Sequence, residues 1–178
     1  MCKQIREKGW NLTQIPSTKI NSKSQWQSTL VDHPGQNVQI DIKYVPRQCI
    51  LWNSYGKRYY QITSIDEYSR KRVCQLVDEK SVTHTATFLL DLEERFGFKI
   101  ETIQTDNGTE FTNHGLSIDT LSVFEEVLSS IGIEHKRTRP YSPWQNGIVE
   151  RSHREDGKRF YQRTFIPKRN FSLLINGM

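Results

Sequence analysis

The chain reads as an α/β domain with its elements in the order βββαβαβα. Three observations predict it. Residues 38–77 hold three alternating runs rich in β-branched and aromatic residues, joined by short turns. Two helical runs follow, near 82–96 and 120–131, and each is followed by a further short strand pattern. A strongly charged helical run then starts at Ile148.

The first strand, in NVQIDIKYV, passes through Asp41, and 46–57 forms a turn or irregular hairpin. RYYQITSID (58–66) and SRKRVCQLV (69–77) make the second and third strands, an antiparallel meander with the first. Val82, Ala86, Leu89, Leu90, Leu92 and Phe96 line one helix, which Ser81 caps at the start and Gly97 at the end. FKIETIQTD is the fourth strand, ending at Asp106 and the turn Asn107-Gly108, and IEHKRTR (133–139) is the fifth. The last helix runs from Ile148 to about Arg163. Ahead of all this, residues 1–34 form a polar extension with a short helical start over 1–9, and His33-Pro34-Gly35 is the turn that opens the folded part.

At 178 residues, 35% of them hydrophobic, the chain suits one modest core with polar extensions. No apolar run nears the ~20 residues of a membrane helix, and the N-terminus has no signal-peptide pattern, so a cytosolic protein is expected. Cys2, Cys49 and Cys74 are too widely spaced for a zinc motif and read as reduced thiols. The net charge of +5 is unevenly spread. Residues 136–169 hold ten Lys and Arg against three acids, which leaves the remainder at −2. Charge gathered in this way suits a phosphate backbone, and a solvated helix face would look the same.

Three acids stand out. Asp41 lies mid-strand between Ile40 and Ile42, Asp106 ends a strand, and Glu150 lies in the first turn of the last helix. If the first and fourth strands are neighbours, all three meet. Carboxylates converging without Lys or Arg partners repel one another, and a divalent cation with hard-oxygen preference resolves this. Asp106 before Asn-Gly also reads as an ordinary turn residue.

QIDIKY (39–44), SIDEYSRKR (64–72), IQTDNGTEFT (103–112) and RPYSPWQNGIVERSHR (139–154) together resemble the integrase core domain. This is the ribonuclease-H-like DDE domain of retroviral integrases and bacterial insertion-sequence transposases, and 147–161 looks most like the insertion-sequence branch. The resemblance runs from about Pro34 to Tyr161 and implies a five-stranded mixed sheet flanked by helices. It divides the chain into an extension (1–34), a catalytic core (35–164) and a truncated tail (165–178) of a longer transposase. It also implies metal-dependent DNA cleavage and strand transfer, with a nuclease or a non-catalytic DNA-binding remnant as alternatives.

Carried over by motif, Asp41, Asp106 and Glu150 are the catalytic acids and hold Mg2+ or Mn2+, two ions in the active complex. Asp66 is a structural acid. The 43 residues between Asp106 and Glu150 exceed the usual family spacing, which makes 112–120 an atypical loop. Asn107, Gly108 and Thr109 form the turn that aims Asp106. Tyr141–Gly147 resembles a mobile active-site loop, in preference to an early helix start at Ser142-Pro143, because Asn146-Gly147 should interrupt a helix. Gln145, Asn146, Arg151, Arg154 and Lys158 are expected on DNA, the last two drifting about 40° and 80° around the helix from Glu150. The implied partners are element-end and target DNA and at least one further copy of the chain, in a bacterial, nucleoid-associated setting with no membrane or small-molecule substrate.

Overall fold

The computed structural model describes residues 31–51, 56–113, 120–163 and 166. The expected helical start at 1–9, the polar stretch to Leu30 and almost all of the tail after 164 lie outside them. Five strands form one sheet: β1 (Val38–Tyr44), β2 (Tyr60–Asp66), β3 (Arg72–Val77), β4 (Thr102–Thr105) and β5 (Glu134–Arg137). Their spatial order is β3-β2-β1-β4-β5. β1, β2 and β3 pair antiparallel, whereas β1–β4 and β4–β5 pair parallel. The mixed sheet is as the resemblance implies, and the first and fourth strands are neighbours, the condition under which the three acids meet.

Alternation along β1 decides what each face of the sheet receives. Val38 and Ile40 are fully buried and join Phe88, Leu92, Phe96, Ile103, Phe124 and Leu128 in the main core. Each such side chain contributes roughly 1.5–3 kcal/mol by leaving water. The helices supplying that core are α1 (Val82–Leu90), α2 (Leu92–Phe96) and α3 (Val123–Ile131). The intervening residues of β1 instead meet α4 (Gly147–Asp156). Gln39 accepts from the Val149 amide at 3.1 Å, and the Lys43 ammonium donates to the His153 carbonyl at 3.2 Å.

Several predicted boundaries need correction. The single helix over 82–96 breaks at Asp91, whose φ and ψ are −110° and 4°. A short acidic side chain competes with the helix for backbone partners, and Leu90, one of the apolar residues of the predicted helix, is 68% exposed. α3 begins at Val123 rather than 120, because Ser122 and Glu125 close a reciprocal capping box.

The expected mobile loop is also revised. Pro143–Asn146 form a 3-10 turn leading directly into α4, with Gly147 in right-handed helical geometry (φ −60°, ψ −25°). Asn146-Gly147 therefore continues the helix instead of interrupting it. At its far end α4 gives way to a π-helical turn, Gly157–Tyr161. Tyr161 is thereby buried in a second cluster with Val45, Cys49, Leu76 and Ile166, and its hydroxyl donates to Gln61. The 80° offset predicted for Lys158 assumed an unbroken α-helix and does not hold through this wider turn.

Asp66 is fully buried and accepts from the Gly35 amide at 2.9 Å and from the Ser69 amide and hydroxyl, each at 2.6 Å. Gly35 has φ of +86°, and a Cβ there would lie 1.9 Å from the Lys99 carbonyl oxygen. Only glycine fits this close approach. Asp66 thus ties the entry turn to the end of β2.

Candidate active site

The parallel pairing of β1 with β4 sets Val38 beside Ile103 and Gln39 beside Gln104. Continued two residues further, that register brings Asp41 level with Asp106, just past the end of β4. Glu150 stands in the first turn of α4, which packs against β1. All three acids line one open cavity of about 290 Å³, together with Asn107, Thr138, Arg139, Tyr141 and Asn146.

Each acid has a different environment. Asp41 accepts from the Ile42 amide at 2.8 Å, and its other oxygen lies 3.4 Å from His153 Nδ1. Asp106 accepts from the Gly108 amide at 2.9 Å. Burial pushes the Asp106 carboxyl above its ordinary range, and the charges of Asp41 and Glu110 push the same way. The Gly108 amide and Lys80 oppose them. Glu150 is exposed at the rim and makes no side-chain hydrogen bond or ion pair among the described residues.

Among the described residues no three carboxylates, imidazoles or thiols are closed to ligand spacing. The donor set nevertheless suits a hard divalent cation. Two carboxylates stand level across a strand seam, burial and then the charge of Asp41 raise Asp106, and a third lines the same cavity from its exposed rim. The sequence reading of acids without Lys or Arg partners is corrected, since Lys80 acts on Asp106 and Arg139 is in the wall.

The residues that build the site include several the sequence reading missed. Gln39, 2% exposed, and Gln104 both donate to the Gln145 carbonyl, at 2.9 and 2.7 Å. They pin the 3-10 turn that launches α4. A signal was present, because each glutamine lies two residues before an acid, in Q-I-D and Q-T-D. His153 was also overlooked. Its Nε2 is buried with no hydrogen-bond partner among the described residues.

The expected DNA contacts divide into two groups. Arg151, Arg154 and Lys158 are exposed. Gln145 and Asn146 are engaged within the fold: Gln145 Oε1 accepts from the Arg139 amide at 2.7 Å, and buried Asn146 accepts from Gln104 at 3.3 Å. Of the supporting residues, Asn107 donates to the Thr138 carbonyl at 2.9 Å, which joins the Asp106 turn to the end of β5. Gly108 orients Asp106, and Gly147 begins α4.

A five-stranded mixed sheet of this order carries acids on β1, just after β4 and on α4. Residues 31–143 match the integrase core domain, and the chain belongs to that family. The putative integrase ORF3 of Spiroplasma virus SpV1-C74 is 33% identical over 132 residues, covering 69% of this chain and 35% of that protein. The chain therefore spans about a third of that relative's length. Its fold is shared with a chain of a simian T-cell lymphotropic virus intasome solved in complex with PP2A regulatory subunit B56 gamma. That match has a TM-score of 0.57 at 21% identity and covers 80% of this chain and 47% of that one. The HTLV-2 integrase catalytic core in complex with magnesium matches with a TM-score of 0.51 at 22% identity, covering 70% and 68%. No helix among the described residues is long and apolar enough to cross a membrane.

Proposed function

We propose that this domain cuts and joins DNA strands by metal-assisted phosphoryl transfer, with Asp41, Asp106 and Glu150 as its catalytic acids. The observation that carries this reading is their convergence on one cavity, with the Asp106 carboxyl raised by burial and by the charge of Asp41. The three carboxylates would hold Mg2+ or Mn2+, and two such ions would supply positive charge to the attacking and leaving oxygens of an in-line displacement. The magnesium in the HTLV-2 core supports the choice of ion.

The protein's own part is positioning. The Ile42 amide and His153 fix Asp41, the Gly108 amide fixes Asp106, and the two glutamines set the origin of the helix that carries Glu150. In the first step water attacks a phosphodiester, and the bond to the 3′ oxygen breaks, freeing a 3′-hydroxyl. In the second step that hydroxyl attacks a phosphodiester of another strand, so one P–O bond forms as another breaks. Two DNA ends and a target must be held together, and we read the working form as an oligomer on DNA, as the intasome assembly of the simian viral relative suggests.

The test uses labelled element-end duplexes with Mg2+ or Mn2+. Products longer than the substrate are expected beside nicked strands. Nicking without any joined product would reduce the function to that of a nuclease, and neither product would refute it.

DNA affinity should fall steeply with salt, since each neutralised phosphate contributes about −0.9 to the log–log slope. Alanine at Arg154 and Lys158 is expected to flatten the slope by roughly one unit each. An unchanged slope in the double variant assigns both side chains to solvent.

A further inference from the structure

A fourth carboxylate stands behind the candidate acids. Glu110 is 4% exposed, and its Oε1 lies 2.7 Å from the Lys80 ammonium. Its backbone is anchored too, the Thr85 hydroxyl donating to the Glu110 carbonyl at 2.6 Å. The Glu110 carboxylate packs on Gly108: a Cβ at Gly108 would lie 2.6 Å from its carbon and from both oxygens. The amide of that same glycine holds Asp106. Only a residue without a side chain separates Glu110 from the turn that aims Asp106.

We propose that Lys80 is a built-in counter-ion that keeps Glu110 out of the metal centre, so that the site offers three carboxylates rather than four. The inference rests on the reading that Asp41 and Asp106 hold a divalent cation. Hard cations gain affinity with each added carboxylate, whereas turnover needs positions left open for the reacting oxygens. A buried glutamate beside such a site would compete for the ion unless a fixed positive charge engaged it. Lys80 is 38% exposed at its side chain, so it meets this need from the rim without full desolvation. Its charge also favours the ionised form of Asp106. Lys80 is thus a positioning residue that acts through Glu110.

The experiment titrates Mn2+ alone into the full chain, without DNA, by calorimetry and by the paramagnetic resonance of free Mn2+. Lys80→Met is expected to bind Mn2+ about tenfold more tightly, the effect of one lost unit charge at close range in partly screened surroundings. Lys80→Met/Glu110→Gln should return to near the parent affinity, and Lys80→Arg should match the parent. Lys80→Gln is neutral but can still donate to the carboxylate. It is expected to shift in the same direction and replaces Lys80→Met if that variant fails to fold. A merely structural role gives the opposite sign, because a loosened turn weakens binding. Unchanged or weaker binding in the neutral variants, or no reversal in the double variant, overturns the proposal. Asp106→Asn separates the two readings. If it still binds Mn2+ like the parent, the metal-site reading has failed; if it loses binding while Lys80→Met gains none, only the role of Lys80 has failed.

Discussion

Asp106→Asn is expected to lower Mg2+- or Mn2+-dependent strand cleavage on the order of a thousandfold, the scale on which removing one key electrostatic group acts. The fold should persist. The parent holds a desolvated carboxylate against the like charges of Asp41 and Glu110, so a neutral amide relieves repulsion as it removes a ligand. The thermal midpoint should stay level or rise while cleavage collapses, and that opposition marks a functional acid. Asp41→Asn and Glu150→Gln belong to the same test. Asp66→Asn is the contrast, since it disturbs the Gly35 and Ser69 bonds and leaves metal dependence intact. Full cleavage by folded Asp106→Asn would remove Asp106 from the mechanism.

Asp156→Ala should act on stability. Its carboxylate, 8% exposed, takes the Lys43 ammonium at 2.9 Å, Arg72 at 2.6 Å and the Gln61 amide at 2.9 Å. Removing it leaves the part-buried Lys43 ammonium with the His153 carbonyl as its remaining acceptor. Losing one partner of a buried pair costs roughly 3–5 kcal/mol, an upper bound here. Denaturant unfolding measures the loss, and a drop below ~1 kcal/mol would show that water replaces the carboxylate. The Lys43→Met/Asp156→Ala pair should recover part of the stability, because only the partly exposed Arg72 then lacks its carboxylate partner.

The pH profile follows from the same contacts. Burial alone would raise the Asp156 carboxyl, but its bonds to Lys43 and Gln61 and the charges of Lys43 and Arg72 hold it below the ordinary 3.8. Burial pulls the Lys43 ammonium down while Asp156 pulls it back up. A carboxyl depressed in the folded state contributes its stability fully above the unfolded value. That contribution is lost as pH falls below 3.8 through the folded value, and Asp156→Ala should flatten the acid limb.

The order of elements was legible because period-two alternation survives in a single sequence, and linked motifs singled out three acids that line one cavity. The meander is written in V-Q-I-D-I-K-Y and Y-Q-I-T-S-I-D, which pair antiparallel as their alternation suggests, while the burial of both faces of β2 is not legible in that pattern. Legibility failed where long-range contacts override local preference. Asn146-Gly147 reads as a helix breaker, yet Gln39 and Gln104, on two strands distant in sequence, hold the turn that makes it helical. The π-helical turn at 157–161 follows from the burial of Tyr161 against Val45 and Leu76, which no helical periodicity reports. The partners Lys80 and Glu110 are 30 residues apart in sequence, so neither alone suggests the other.

The placement of β1 between an antiparallel and a parallel neighbour has a kinetic meaning. β1, β2 and β3 pair through short connections, so they can zip early at little loop-closure cost. β4 reaches β1 only after the chain has passed through β2, β3, α1 and α2. Asp41 therefore rides on the first ribbon to form, and Asp106 on a strand that must arrive from far along the chain. Any ligand shared by both acids is bound only once that seam is shut. It draws its affinity from the closed state and strengthens the seam in return. Domain closure and substrate chemistry then share a single join in the sheet, and its loosening would silence the domain well before the meander unravels.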